Sequence, residues 1–268
     1  FDFRGRRDCF YRSSMARLQA VERPRGGDLT LAPEAPIDAA VIWLHGFMDD
    51  PEHWARRLEP HRKTHPSWKW VLCRSPQLPI TAKGGKLAAA WGDFVSNDIV
   101  QIGEPDHDSA DEPGWYAETV RQVHSIVGAL EREDGLRSDR IAICGFSQGA
   151  ACAAMCALLY PRRLAAFAML CGWLLPPARE ALASSPSRAV PVFIAHSRAD
   201  AEVQFSCAEL AVQVLREAGA NVHFGSQDNV DHIPAAHTAL VEMVAFLGKS
   251  FSSPLLSAPS AAPLVADL

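Results

Sequence analysis

The segment Arg140-Ile-Ala-Ile-Cys-Gly-Phe-Ser-Gln-Gly149 runs without a break into Ala150-Ala-Cys-Ala-Ala-Met-Cys-Ala-Leu-Leu159. Its opening is a short apolar run that reads as a buried strand, and the stretch after it has the small-residue composition of a buried helix. Gly145-Phe-Ser-Gln-Gly149 is then the corner between them, a G-x-S-x-G in which Ser147 stands exposed above the end of a sheet. The two glycines suit a turn too tight for side chains. The helix start adds free N–H groups and a positive dipole end to any oxyanion forming there. As a bare pentapeptide the motif is also an ordinary turn, and the flanking strand and helix are what make Ser147 a candidate nucleophile.

Working outward, further apolar runs lie at Ala39–Leu44, Trp68–Cys73, Val190–Ala195 and Asn221–Phe224, with Leu164–Cys171 of mixed character. Helical patterns lie at 115–134, 148–159, 206–218 and 233–247. Strands buried on both faces read as continuous apolar runs, and their alternation with helices predicts an α/β fold, a mostly parallel sheet covered on both faces. In such sheets chemistry collects beyond the carboxyl ends of the strands.

A serine hydroxyl needs a histidine to take its proton and a carboxylate to orient that histidine. After a strand-to-helix elbow of this kind the chain order is serine, acid, histidine. Asp200 follows the run ending at Ala195, and His232 follows the run near Val222 and opens the last helix, so both fall on the expected face in the expected order. Asp231 competes for the acid, and His196 and His237 compete for the base. A tetrahedral intermediate also needs two N–H donors. The amide of Gln148 is one, and the loop His45-Gly46-Phe47-Met48-Asp49 after the first run offers the amide of Phe47 as the other, unless His45-Gly46 is only a turn.

The 268 residues are 48% hydrophobic and 21% charged with a net charge of −5, which suits one globular domain with a sizeable core. No block of like charges suggests nucleic acid or a polybasic membrane patch, and no apolar run reaches the roughly 18 to 20 residues of a membrane span. Seven cysteines without a C-x-x-C read as buried thiols in a reducing, cytoplasmic setting. Cys152 and Cys156 share a helix face, but nothing repeats their spacing as a metal site would, so they read as core. Residues 1–27 form an N-terminal extension with an Arg-rich start, for which an organelle-targeting remnant is a second reading, and its Cys9 is a lipidation candidate. The domain is placed at 28–249, followed by a Ser/Pro/Ala-rich flexible tail at 250–268. Between them, Asp93–Gly114 reads as an acidic surface excursion near the site, with a gating lid as the sharper alternative.

Several segments together resemble the acyl-protein thioesterase, lysophospholipase and carboxylesterase family of the α/β-hydrolase superfamily. They are Val41–Gly46, Arg74-Ser-Pro-Gln-Leu-Pro-Ile-Thr81, Ala90-Trp-Gly-Asp-Phe94, Arg140–Gly149, Leu170-Cys-Gly-Trp-Leu-Leu-Pro176, His196–Asp200 and His232. The resemblance implies an α/β-hydrolase fold in which Ser147, Asp200 and His232 form a triad and the Phe47 and Gln148 amides an oxyanion hole. It also implies that Trp91, Trp173, Leu174 and Leu175 border an acyl site. The substrate would be an acyl ester or thioester, such as an S-acylated protein or a lysophospholipid, cleaved through an acyl-enzyme with no metal or organic cofactor. Two departures stand out. The family's His-Gly-x-Gly-Asp has Met48 at its second glycine, and its His-Gly-x-x-Asp-Pro-x-Val-Pro reads His196-Ser-Arg-Ala-Asp200-Ala-Glu-Val203-Gln here. Residue identity fixes the acyl-transfer machinery better than the leaving group, so a carboxylesterase of small soluble esters is the rival. From another class comes a non-catalytic binding protein on the same fold.

Overall fold

The computed structural model describes residues 27–108 and 114–252. Seven strands form the central sheet: β1 (Leu29–Leu31), β2 (Ala39–Leu44), β3 (Trp68–Cys73), β6 (Ile141–Phe146), β7 (Ala166–Leu170), β8 (Pro191–Ser197) and β9 (Asn221–Gln227). Their spatial order is β1-β3-β2-β6-β7-β8-β9, and every pairing is parallel except that of the edge strand β1 with β3. A separate antiparallel hairpin pairs β4 (Gln77–Ile80) with β5 (Lys86–Ala89). The helices are α1 (Pro51–Thr64), α2 (Trp115–Glu133), α3 (Gln148–Leu159), α4 (Pro176–Ala181), α5 (Phe205–Glu217) and α6 (His232–Ser252).

Alternation along each strand sends side chains to opposite faces, and each face meets its own helices. Ala40, Ile42 and Leu44 of β2, with Ile141 and Ile143 of β6, pack against Val120, Val123 and Val127 of α2, the whole inner length of α3, and Cys207 and Ala208 of α5. Ala39, Val41 and Trp43, with Ala142, Cys144 and Phe146, pack instead against Trp54 and Leu58 of α1 and against Ala239, Met243 and Leu247 of α6. This is the mostly parallel, doubly covered sheet that the alternation of runs and helices predicts, in the α/β-hydrolase fold that the family resemblance implies. Cys152 and Cys156 are both fully buried in α3.

Several parts differ from the sequence reading, and the edge strand β1 and the short helix α4 are absent from the expected elements. Helix α1 has no counterpart in the expected elements, although Asp50 caps it by accepting from the His53 amide at 2.7 Å and Pro51 opens it. The β4–β5 hairpin is also new. The last helix runs on to Ser252, past the expected domain end at 249, because Phe251 is buried with its ring edge-on to Trp68 at 4.8 Å. The readings of the Arg-rich start and Cys9, of Ser109–Pro113, and of the tail from Ser253 lie outside the described residues. No helix among the described residues is long and apolar enough to cross a membrane.

Candidate active site

Ser147 sits between β6 and α3 at φ 54°, ψ −123°, a backbone region that non-glycine residues enter only when their surroundings force them. The forcing contacts are visible. The Ser147 amide donates to the Leu170 carbonyl at 2.8 Å, and its own carbonyl accepts from the Ala150 amide at 2.9 Å. A Cβ on Gly145 would stand 2.3 Å from the Gly149 carbonyl oxygen, and one on Gly149 would stand 2.3 Å from the carbonyl oxygens of Leu44 and His45. Both glycines are therefore needed for α3 to start directly against the end of β2.

Asp200 lies just past β8 and His232 opens α6 just past β9, so the parallel strands β6, β8 and β9 deliver the three residues to one end of the sheet. His232 Nδ1 is 2.6 Å from Asp200 Oδ2. The other carboxylate oxygen, Oδ1, accepts from the amides of Glu202 and Val203, each at 2.9 Å. Burial works against a charge on Asp200, but the hydrogen bonds from His196 and His232 and the Val203 amide outweigh it and hold the carboxyl well below the usual carboxylate range. The Ser197 hydroxyl donates to the Val230 carbonyl, tying the end of β8 to the loop that presents His232.

Ser147 and His232 open onto one cavity of about 670 Å³, within the range of small-molecule sites. Phe47, Met48, Phe94, Val100, Phe146 and Ile233 give it apolar walls, and Lys83, Asp98, Glu202 and Asp231 add charge. The backbone N–H groups of Phe47 and Gln148 have no hydrogen-bond acceptor among the described residues. Met48 takes φ 57°, the left-handed conformation a glycine would adopt at no cost, and its amide donates to the Ala89 carbonyl of β5 at 2.8 Å. The loop therefore keeps a left-handed turn despite the missing glycine.

The four residues expected to border the acyl chain do not line this cavity. Trp91, Trp173, Leu174 and Leu175 are buried in the core beneath it. Trp173 stands behind Phe94, ring centroids 6.2 Å apart, and it is Phe94 that meets the open space. Trp91 donates from its indole Nε1 to the His45 carbonyl at 2.7 Å, which braces the loop before Phe47. The first part of the acidic excursion is wall rather than surface loop: Phe94, Ser96, Asn97, Asp98 and Val100 line the cavity. Buried Asp106 pins it by accepting from the amides of Val95 and Ser96. Val100 bridges to Val203 beside Asp200. Of the competing residues, Asp231 lines the cavity without touching His232 Nδ1, and His237 packs against Trp54 with ring centroids 5.5 Å apart. His196 is fully buried beneath Asp200.

One trio of donors, Cys171 Sγ, a carboxylate oxygen of Asp200 and a ring nitrogen of His232, lies within 4.8 Å and is the only such grouping among the described residues. Its members are already engaged with one another: the thiol donates to the His232 carbonyl at 3.6 Å, and burial pushes it far above the ordinary thiol range.

This geometry agrees with what the chain is similar to. Residues 27–251 match the model of the phospholipase/carboxylesterase family. The chain belongs to that family. Within it, an acyl-protein thioesterase 1 of Neurospora crassa is 31% identical over 199 residues, 72% of this chain and 80% of the relative. The carboxylesterase SOBER1 of Arabidopsis thaliana is 28% identical over 195 residues, 72% of this chain and 82% of the relative. The crystal structure of SOBER1 superposes with a TM-score of 0.70 at 25% identity, over 80% of this chain and 99% of that one. The phospholipase/carboxylesterase membership makes this chain a serine hydrolase that acts on acyl esters or thioesters.

Proposed function

We propose that the chain cleaves long-chain acyl thioesters or esters through a Ser147–His232–Asp200 triad and an acyl-enzyme. The observation that carries this reading is Ser147 on its strained elbow sharing one apolar-walled cavity with His232, whose other ring nitrogen is held by Asp200. Ser147 Oγ attacks the acyl carbonyl carbon while His232 Nε2 takes the hydroxyl proton. The Phe47 and Gln148 amides receive the oxyanion. Collapse breaks the bond to the leaving thiolate or alkoxide, which takes the proton back from His232. Water then repeats the sequence on the acyl-serine, releasing the carboxylic acid and restoring the hydroxyl. Asp200 keeps the Nδ1 proton of His232 in place and stabilises the imidazolium.

A phenylalanine, methionine and isoleucine rim supports a fatty acyl group over a short one. The test is hydrolysis of matched p-nitrophenyl esters, short against long, and of palmitoyl-CoA, by the wild type and by Ser147→Ala. Turnover by the wild type and its loss in the variant supports the nucleophile, and the chain-length ratio separates the long-acyl reading from a small-ester carboxylesterase. A folded wild type inert on every substrate would bring the non-catalytic reading forward.

A further inference from the structure

Two histidines reach the same carboxylate oxygen. His232 Nδ1 lies 2.6 Å from Asp200 Oδ2 on the cavity side, and His196 Nε2 lies 3.3 Å from that oxygen on the core side. The His196 nitrogen is also 2.9 Å from the Val203 carbonyl oxygen. A carbonyl can only accept, so Nε2 carries a hydrogen and donates. The ring's other nitrogen, Nδ1, is buried with no hydrogen-bond partner among the described residues, so a proton placed there would have nothing to donate to. The ring itself is fully buried, packed edge-on to Phe205 at 6.0 Å.

We infer that His196 is a positioning residue, a fixed N–H donor that clamps the Asp200–Val203 turn and aims Oδ2 of Asp200 at His232. The clamp closes on itself. The Val203 amide donates to Asp200 Oδ1, the Val203 carbonyl accepts from His196, and the same His196 nitrogen lies 3.3 Å from Asp200 Oδ2. Oδ1 therefore carries two amide donors, and Oδ2 lies between the two histidine nitrogens, which fixes the carboxylate in one orientation. The inference rests on the proposed triad, since it concerns how Asp200 serves His232.

The experiment compares His196→Gln, His196→Asn and His196→Met with the wild type and with Asp200→Asn, using a p-nitrophenyl ester. The Nε2 of glutamine can occupy the place of the imidazole Nε2, whereas asparagine is too short and methionine cannot donate. The expected result is kcat within about threefold of wild type for His196→Gln. For the other two His196 variants kcat falls about tenfold or more with KM little changed, as a misaimed catalytic group gives. The low-field proton resonance of the His232–Asp200 hydrogen bond should survive in the glutamine variant and move or vanish in the other two. A folded His196→Met enzyme with wild-type kcat, beside an inactive Asp200→Asn, would overturn the inference and leave the triad standing. Full activity in Asp200→Asn would remove both. Should the variants fail to fold, nitrogen-15 shifts of the wild type decide: a hydrogen on His196 Nε2 supports the clamp, and one on Nδ1 overturns it.

Discussion

The side-chain amide of Gln148 is clamped across the backbone of Trp91 and Gly92: Oε1 accepts from the Trp91 N–H and Nε2 donates to the Gly92 carbonyl, both at 3.0 Å. Gln148 is fully buried, so the residue whose amide is proposed to receive the oxyanion also fastens the Trp91 segment to the start of α3. Replacing it with alanine leaves a buried N–H and a buried carbonyl unpaired, at about 1–3 kcal/mol each. Gln148→Ala is expected to lower the unfolding free energy by about 2–4 kcal/mol in urea titration. A loss below about 0.5 kcal/mol would mean that water or a shifted backbone replaces both bonds.

Met48 makes the opposite case, a side chain where glycine would fit better. At φ 57° it carries the left-handed penalty of about 1–2 kcal/mol, partly offset because glycine loses roughly 0.5–1 kcal/mol more chain entropy on folding. Met48 is 60% exposed, so little burial is forfeited. Met48→Gly should therefore raise stability by up to about 1 kcal/mol in a calorimetric scan. It should also raise KM for a long acyl ester, because the methionine lines the cavity. Met48→Ile is expected to destabilise, since a β-branched residue tolerates this backbone worst.

The elbow and the parallel strands of the sheet were legible because their signals are local. Apolar runs marked β2 and β3 to the residue, and the glycines around Ser147 need only their neighbours to be understood. Helix α1 was hidden by composition. Only Pro51, Trp54 and Leu58 of it are buried and Pro60 sits within it, so its helical signal is faint although the Asp50-Pro51 start signal was present. Phe94 was hidden for another reason. A large apolar residue looks the same in sequence whether it faces a cavity or the core, and only the fold placed Trp173 behind Phe94. The side-chain roles of Gln148 and His196 join segments far apart in the chain or lie within one turn whose shape no pattern encodes.

That layering separates two substitutions. Phe94→Ala removes cavity wall, so it should raise KM for a long-chain ester several-fold relative to a short one at modest cost in stability. Trp173→Ala empties a fully buried site and should cost about 3–5 kcal/mol. Chain-length profiles and urea midpoints on both variants check this. A profile altered by Trp173→Ala at unchanged stability would return the tryptophan to the acyl site.

The depressed Asp200 carboxyl makes a prediction with a definite sign. Its ordinary unfolded value is about 3.9, and in the folded protein it lies well below that because His196, His232 and the Val203 amide outweigh burial. Between the two values the unfolded chain binds a proton that the folded chain does not, so stability rises with pH there. The contribution is fully present above about pH 4 and drains away as pH falls through the folded value. Asp200→Asn has no such group. Its unfolding free energy should be lower than wild type at pH 6, and the gap should narrow steadily as pH is taken from about 4 towards 2. Urea titrations of both proteins across that window measure it, and a gap that stayed constant or widened on acidification would mean that the carboxylate is not held by its donors as the geometry requires. The same variant should lose about 10⁴-fold in kcat, because an amide in place of the carboxylate favours the wrong His232 tautomer.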